Sequence, residues 1–236
     1  MRPLFRSFAL FVRQILRDSM LAAVCGATLL TAFFFRYGIP AVERALYAHF
    51  QRPILEKYYL LFDLLLALLI PYLLTFAASM MMLTEYDENI AGYLAVTPVG
   101  KRGYVESRLG LSAAIAFAAS VVLVRAFSLT QWKLSMIILV SMLTGLASVG
   151  VALLLFSLSH NRVEGMAMAK MSGLLLMGLP VPFFLLSNTQ YLFSPLPTFW
   201  IAKLGMEPNL IYFFAALLTS VLWILLLYGK FRKKLM

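Results

Sequence analysis

The chain contains few charged residues, and acidic ones are the scarcest. Only 13% of its 236 residues are charged, while 62% are hydrophobic and the mean hydropathy is +0.89. Soluble domains hold about half apolar and a quarter charged residues, and a globule of this size could not bury such an excess. Glycine and proline number 13 and 10, which excludes collagen and proline- or glycine-rich disorder. The composition therefore predicts a membrane protein.

Cysteine and histidine are almost absent. Cys25 is the single cysteine, so no disulfide framework can form within the chain, and His49 and His160 are far apart in sequence. No spacing of these residues is typical of a metal site. We therefore predict that the chain binds no metal.

The motifs of the expected enzyme classes are missing as well. A phosphate-binding loop needs glycine five residues before Gly100 and Ser or Thr after Lys101, but those positions hold Ala95 and Arg102. The zinc-protease motif His-Glu-x-x-His is also absent. We predict that the chain is not an enzyme and binds no cofactor.

The sequence contains several long apolar runs with few charged residues. A helix needs about 20 apolar residues to cross a bilayer core, and six such runs predict an all-α, polytopic fold in one domain over residues 1–236. The runs are Asp18–Arg36, Leu64–Thr84 (with a start nearer Tyr58), Leu109–Val124, Leu134–Ser159, Met166 or Met171 to about Leu186, and about Leu210–Gly229.

The excess of basic residues predicts the orientation. With six spans, both termini lie on the same side, and 13 of the 20 lysines and arginines fall on that side. The positive-inside rule then places both termini in the cytoplasm. The formal charge of +10 fits anionic lipid headgroups better than nucleic acid in a protein of this composition.

Residues 1–18 have an amphipathic pattern. Apolar residues recur at helical spacing from Leu4 to Leu16, and Arg6, Arg13 and Arg17 lie mostly on the other face. The pattern predicts an interfacial helix on the inner leaflet.

The segment Thr84–Arg108 interrupts the apolar pattern with four of the ten acidic residues. Thr84 followed by Asp87 resembles a capping box, and Thr97-Pro98 predicts a helix end, so we predict a short cytosolic helix within a loop over 84–103. Its apolar face carries Tyr86, Ile90, Tyr93 and Leu94. This face could rest on lipid headgroups or dock into a groove of a cytosolic partner, and composition does not separate the two.

This loop carries a resemblance to a known family. Its acidic residue at the end of the second span, its glycine, its Leu-x-x-Thr-Pro and its basic turn resemble the permeases of the type-2 exporter class of ATP-binding cassette (ABC) transporters. The matching positions are Glu85, Gly92, Leu94, Thr97, Pro98 and Lys101. The sequence departs from the usual second acidic-basic pair, which is replaced by Asp87-Glu88-Asn89.

The resemblance covers nearly the whole chain and implies a function. It implies a bacterial, multi-pass permease of the cell membrane that pairs with a second permease chain, the same or homologous. A separate cytosolic ATPase, which binds ATP and Mg, would drive export of a hydrophobic or amphipathic substrate. The segment 187–208 resembles an outer re-entrant region. The implied ATPase-coupling residues are Glu85, Asp87, Ile90, Gly92, Tyr93, Leu94, Thr97 and Pro98, and the implied secondary cytosolic contacts are Asn161, Glu164 and Lys170.

Two other classes remain as alternatives. A secondary transporter would normally contain internal repeats and several charges near the membrane midplane, and we find neither. A membrane scaffold that only recruits a partner is harder to separate from a permease by sequence alone.

Overall fold

The computed structural model describes residues 2–90, 93 and 100–235. These residues form helices and turns without a strand, which confirms the all-α prediction for this part of the chain. The α-helices are α1 (Arg2–Arg17), α2 (Ser19–Phe33), α3 (Ile39–Phe50), α4 (Tyr59–Asp87), α5 (Gly100–Val105), α6 (Leu111–Phe127), α7 (Leu134–Leu158), α8 (Arg162–Ser172), α9 (Val181–Phe184), α10 (Pro197–Met206) and α11 (Leu210–Leu235).

Two long helices form the centre of the bundle. α4 packs along α7, α2 and α6 pack on α4, and α11 packs on α7. Pro71 interrupts the hydrogen-bond ladder of α4 because it has no N–H to donate to the carbonyl of Ala67. The Ser120 hydroxyl of α6 donates to that carbonyl at 3.2 Å, so a neighbouring helix satisfies it.

The described residues contain five helices that are long and apolar enough to cross a membrane. Their ranges are Ser19–Phe50, Glu56–Asp87, Gly103–Phe127, Leu134–Leu158 and Leu210–Lys234. The chain is therefore an α-helical protein with several candidate spans, and the predicted number of six is not confirmed.

The first span is longer than predicted. Instead of giving way to a loop at Arg36, the helix passes through a π-helical stretch, Phe34–Gly38, and continues to Phe50. Pro40 is tolerated there because it lies at the start of α3, directly after the π-helical stretch. Gln51, in the left-handed conformation, ends α3.

The fifth predicted span is not a continuous helix. α8 gives way to a 3-10 helix, Gly173–Gly178, followed by a turn and the four-residue α9. We call residues 162–184 the broken segment. It runs antiparallel to α4: the backbone N–H of Arg162 donates to Asp87, Ser172 bonds Tyr72, and the Phe184 ring lies 5.3 Å from that of Tyr58.

These contacts define two ends of the bundle. We call the end that contains Asp87 the basal end, and the end that contains Tyr58 the distal end. α1 and the end of α11 both lie at the basal end, since Arg108 bonds Ser7 and Lys234 bonds Phe156 near the end of α7. Which end faces the cytoplasm stays a prediction.

A buried acid organises the distal end. Asp63 of α4 accepts backbone N–H groups from Leu129 and Thr130 at 2.7 and 2.8 Å, together with the Thr130 hydroxyl. Arg36 donates to the carbonyl of Ser128 in the same turn, at 2.6 Å. Asp63 thus holds the turn between α6 and α7.

The segment 187–208 enters the bundle between the distal ends of the long helices. A 3-10 helix, Asn188–Phe193, leads to Pro195 and Pro197, and α10 then leads back to the distal end. Pro197 lies near Tyr72 and Ser148, midway along α4 and α7. Entry from the outer leaflet stays a prediction, but the depth reached by Pro197 agrees with a re-entrant path.

Candidate functional site

A buried ion pair joins Glu85, near the end of α4, to Arg108, at the other end of the Thr84–Arg108 loop. Arg108 donates to both carboxylate oxygens of Glu85, at 3.0 and 2.7 Å, and both side chains are almost completely buried. The same guanidinium donates to the carbonyl and hydroxyl of Ser7 on α1, at 3.0 and 2.9 Å. It lies 4.6 Å from the centre of the Phe11 ring. A bidentate pair of this kind fixes orientation as well as distance. Glu85 therefore anchors the root of the loop and offers no surface to a partner.

The capping box predicted at Thr84 is wrong. α4 continues through this position to Asp87, and the Thr84 hydroxyl donates back to the carbonyl of Met80 at 3.2 Å. The helix ends because Asn89 adopts the left-handed conformation, with φ of 59°. The acidic residues consequently lie at the C-terminus of a helix, where the dipole disfavours negative charge. Glu85 is compensated by Arg108, and Asp87 by the start of α8.

Arg162 links α8 to two other elements. Its backbone N–H donates to Asp87 at 3.2 Å, and its guanidinium forms an ion pair with Asp18 at 2.6 Å. Asp18 also caps α2 by accepting from the N–H groups of Met20 and Leu21, each at 3.0 Å. The Arg162 guanidinium is the main reason that the pKa of Asp18 is lowered, and the Leu21 N–H adds to it. The junction of α1 and α2 is thereby tied to α4 and α8.

Two of the predicted secondary contacts cap α8. The Asn161 side chain accepts from the N–H of Glu164 at 2.9 Å, and Glu164 accepts from the N–H of His160 at 2.7 Å. The arrangement resembles a capping box, except that Glu164 binds the N–H of the residue before the N-cap. Lys170 is exposed, two turns further along α8. Asn161 and Glu164 are also exposed, so all three remain accessible to a partner.

Lys234 holds the basal ends of α7 and α11 together. Its ammonium donates to the carbonyl of Phe156 at 2.7 Å and to that of Ser159, and it lies 4.4 Å from the ring centres of Tyr86 and Phe156. A cation at the last carbonyls of a helix is stabilising. The contact joins residues about 75 positions apart, and no local pattern predicts it.

The predicted docking helix is described only in part. Ile90 and Tyr93 are helical, and Tyr93 is 73% exposed. Gly92, Leu94, Thr97 and Pro98 lie outside the described residues. The basal end thus presents an exposed aromatic side chain a few residues beyond the end of α4. The buried Glu85–Arg108 pair and the exposed contact of Asp87 with the Arg162 N–H hold that helix end in place.

Comparison with known proteins shows which family the chain matches. The family model described as "Fluoroquinolones export permease protein Rv2686c-like" matches residues 11–228. The chain belongs to this family. The members of this family are named as export permeases, and the described residues of this chain contain several helices that are apolar enough to cross a membrane.

Two curated relatives are both from Mycobacterium tuberculosis. They are the fluoroquinolones export permease proteins MT2760, from strain CDC 1551 / Oshkosh, and Rv2686c, from strain ATCC 25618 / H37Rv. Each is 30% identical over 131 residues, which cover 53% of this chain and 51% of the relative. The match thus spans about half the length of each relative. No solved structure matches the chain.

Proposed function

We propose that the chain is the membrane-spanning subunit of an ATP-driven ABC exporter. A separate cytosolic ATPase would bind ATP and Mg and dock on the segment after α4. A second permease chain would complete the path, and the substrate would be a hydrophobic or amphipathic compound. Fluoroquinolones are the first substrates to test, because the names of the relatives specify them.

The observation that carries the proposal is the position of Tyr93. Its exposed ring lies a few residues beyond the end of α4, and the root of that segment is fixed by the Glu85–Arg108 pair. A force applied at Tyr93 would reach the centre of the bundle through α4. Exposed aromatic residues are frequent anchors at interfaces between proteins. An exposed ring at this place supports docking on a partner protein.

The polar links at the basal end support the same proposal. Through Ser7, Arg162 and Asp87, the root of the loop also contacts α1, α2 and α8. Movement of one helix end would therefore be shared by several helices. Coupling of this kind needs contiguous packed elements, and the basal end supplies them.

The experiment is co-purification with a P-loop ATPase, and any such protein encoded by a neighbouring gene is the first to try. Tyr93→Asp should weaken association about 30-fold or more and abolish the ATPase activity that the complex supports, because aromatic anchors carry 2 kcal/mol or more. Leu94→Asp, at the adjoining predicted contact, should act in the same way.

Tyr47→Asp is the matched control. Tyr47 is a similarly exposed tyrosine on α3, beyond the distal end, and its replacement should leave the complex intact. A Tyr93→Asp variant that binds and stimulates the ATPase as well as the wild type would contradict the proposed docking surface. Failure of the wild-type chain to associate would favour a secondary transporter or a scaffold.

A further inference from the structure

A polar cleft opens at the distal end of the bundle, beside the turn between α6 and α7. We call it the arginine cleft, because Arg36 and Arg125 are among its lining residues, together with Ser128, Gln131 and Trp132. It holds about 530 Å³, which is within the usual size range of small-ligand sites. Two arginine side chains from different helices therefore line one space of ligand size.

An irregular stretch of helix places Arg36 at this cleft. Arg36 lies on the π-helical stretch Phe34–Gly38, between α2 and α3, and such stretches are frequent at functional sites. Its guanidinium donates to the carbonyl of Ser128 at 2.6 Å, which holds the side chain against the turn. This bond uses one of the several N–H groups of a guanidinium. The remaining N–H groups are free to bind a ligand.

The positive charges of the cleft lack a partner of opposite sign. Neither Arg36 nor Arg125 forms an ion pair within the described part of the chain, and Arg125 has no hydrogen bond there either. The acid that contacts the neighbouring turn, Asp63, is 1% exposed and already accepts two backbone N–H groups. An anion that enters the cleft would therefore meet two guanidinium groups.

Arg108 shows the contrasting arrangement at the other end of the bundle. It lies on a second π-helical stretch, Glu106–Gly110, and its guanidinium is paired with the carboxylate of Glu85. Arg36 has a similar backbone setting, but its printed contact is with a neutral carbonyl. The protein thus supplies a counter-ion to the buried arginine, whereas the arginines of the distal cleft remain open to an anion from outside the chain.

Aromatic residues indicate that the arginine cleft lies at the level of lipid headgroups. Tyr37, directly after Arg36, is 63% exposed, and Trp132 lines the cleft itself. Tyrosine and tryptophan are enriched at the boundary between membrane and water. Phe33 and Phe34 are 51% and 61% exposed, as expected of residues that face acyl chains. Phosphate groups of lipids are the abundant anions at this level.

We propose that the arginine cleft binds a phosphate group, supplied by the phosphodiester of an anionic phospholipid. Guanidinium groups match phosphate oxygens through paired, charge-assisted hydrogen bonds. The phosphate would lie between Arg36, which continues from α2, and Arg125, in the last turn of α6, and would join these two spans. A free phosphate ion offers the same chemistry, and the experiment separates the two sources. The proposal does not depend on an ATPase or on the exported substrate.

The experiment counts lipids that stay bound to the purified chain, by native mass spectrometry in a neutral detergent. The probes are dioleoyl phosphatidylglycerol and dioleoylglycerol, which have the same acyl chains and differ in the phosphate headgroup. The salt concentration is about 0.15 M, where distant charges are screened. The wild type should retain one phosphatidylglycerol in preference to dioleoylglycerol. Arg125→Met should weaken that retention about tenfold or more, because hydrogen bonds to a charged group are lost.

Lys133→Met is the matched control for surface charge. Lys133 is exposed and follows Trp132 in the same turn, but it is not among the residues that line the arginine cleft. Its replacement should leave the retention of phosphatidylglycerol unchanged. Without lipid, Arg125→Met should melt like the wild type, so a loss of binding would not reflect unfolding. Equal retention by the wild type and Arg125→Met, or an equal loss in Lys133→Met, would overturn the proposal.

Inorganic phosphate identifies the source of the bound group. If millimolar phosphate leaves phosphatidylglycerol bound to the wild type, the acyl chains contribute and the lipid is the ligand. If phosphate displaces the lipid and raises the melting temperature of the wild type but not of Arg125→Met, the cleft is a site for free phosphate and the assignment to a lipid is wrong. If the wild type binds neither probe in an Arg125-dependent way, the phosphate site itself is refuted.

Discussion

Removal of Arg108 should destabilise the protein more than removal of any exposed arginine. Arg108→Met would leave the Glu85 carboxylate buried without its partner, and would also remove the donor to Ser7. Breaking a buried ion pair from one side costs about 3–5 kcal/mol. For a chain of this length that corresponds to a fall in melting temperature on the order of 10 °C.

The assay is thermal unfolding in detergent, followed by the loss of the monodisperse peak in size-exclusion chromatography. Arg125→Met is the matched control, because Arg125 is an exposed arginine towards the distal end and its replacement should change little. The double variant Glu85→Leu/Arg108→Met should recover most of the loss, since an apolar pair leaves no unpaired charge. If Arg108→Met and the Arg125→Met control have the same melting temperature, the buried pair does not hold the root of the loop.

Three further predictions concern the other polar contacts. Asp63→Asn should weaken the distal turn by about 1–3 kcal/mol, because the amide keeps only one acceptor oxygen and one of the two backbone N–H groups loses its partner. Hydrogen exchange of that backbone amide should accelerate, and unchanged exchange of both amides would refute this. Arg162→Met should lower stability at neutral pH. The pKa of Asp18 is lowered in the folded protein, so the stability that it contributes persists down to about pH 4 and is lost as the pH falls further, below its folded pKa. The difference in stability between Arg162→Met and the wild type should therefore shrink below about pH 4. A stability difference that does not change with pH would argue against the Arg162–Asp18 pair. Lys234→Met should lower the stability by about 0.3–1 kcal/mol, because it removes the cation from the last carbonyls of α7. Lys233→Met is the control, because Lys233 is exposed and its replacement should not lower the stability. Equal melting temperatures for the two variants would exclude the capping role of Lys234.

Hydropathy predicted the long central helices well. α7 runs from Leu134 to Leu158, within one residue of the predicted range, and α4 begins at Tyr59 beside the predicted start. These boundaries follow from the length of the apolar run, which the thickness of a bilayer sets. The first span was harder because Arg36 looks like an end. Its side chain instead bonds the carbonyl of Ser128, a contact between residues 92 positions apart.

The basal end shows where local signals fail. Thr84 and Asp87 have the spacing of a capping box, but Glu85 between them finds Arg108 across 23 residues, and the helix continues. By contrast, Asp18 before an apolar run is a standard N-cap signal, and it could have predicted the start of α2. Asn161 and Glu164 have the three-residue spacing of a capping box, which likewise could have predicted the start of α8. Local capping could thus be predicted at these two helix starts, even though the distant Arg162 also binds Asp18.

The broken segment is the most informative departure from the sequence prediction. Hydropathy scored it as a span because its leucines and methionines are apolar, although Gly173, Gly178, Pro180 and Pro182 disfavour a continuous helix. A Cβ at Gly178 would collide with the backbone and side chains of 196–199, so the break allows the 187–208 segment to approach closely. A regular helix in place of the broken segment would put side chains where the 187–208 segment now packs. Irregular backbone in a membrane protein is tolerated where it is buried against other protein, and here the break makes room for that segment.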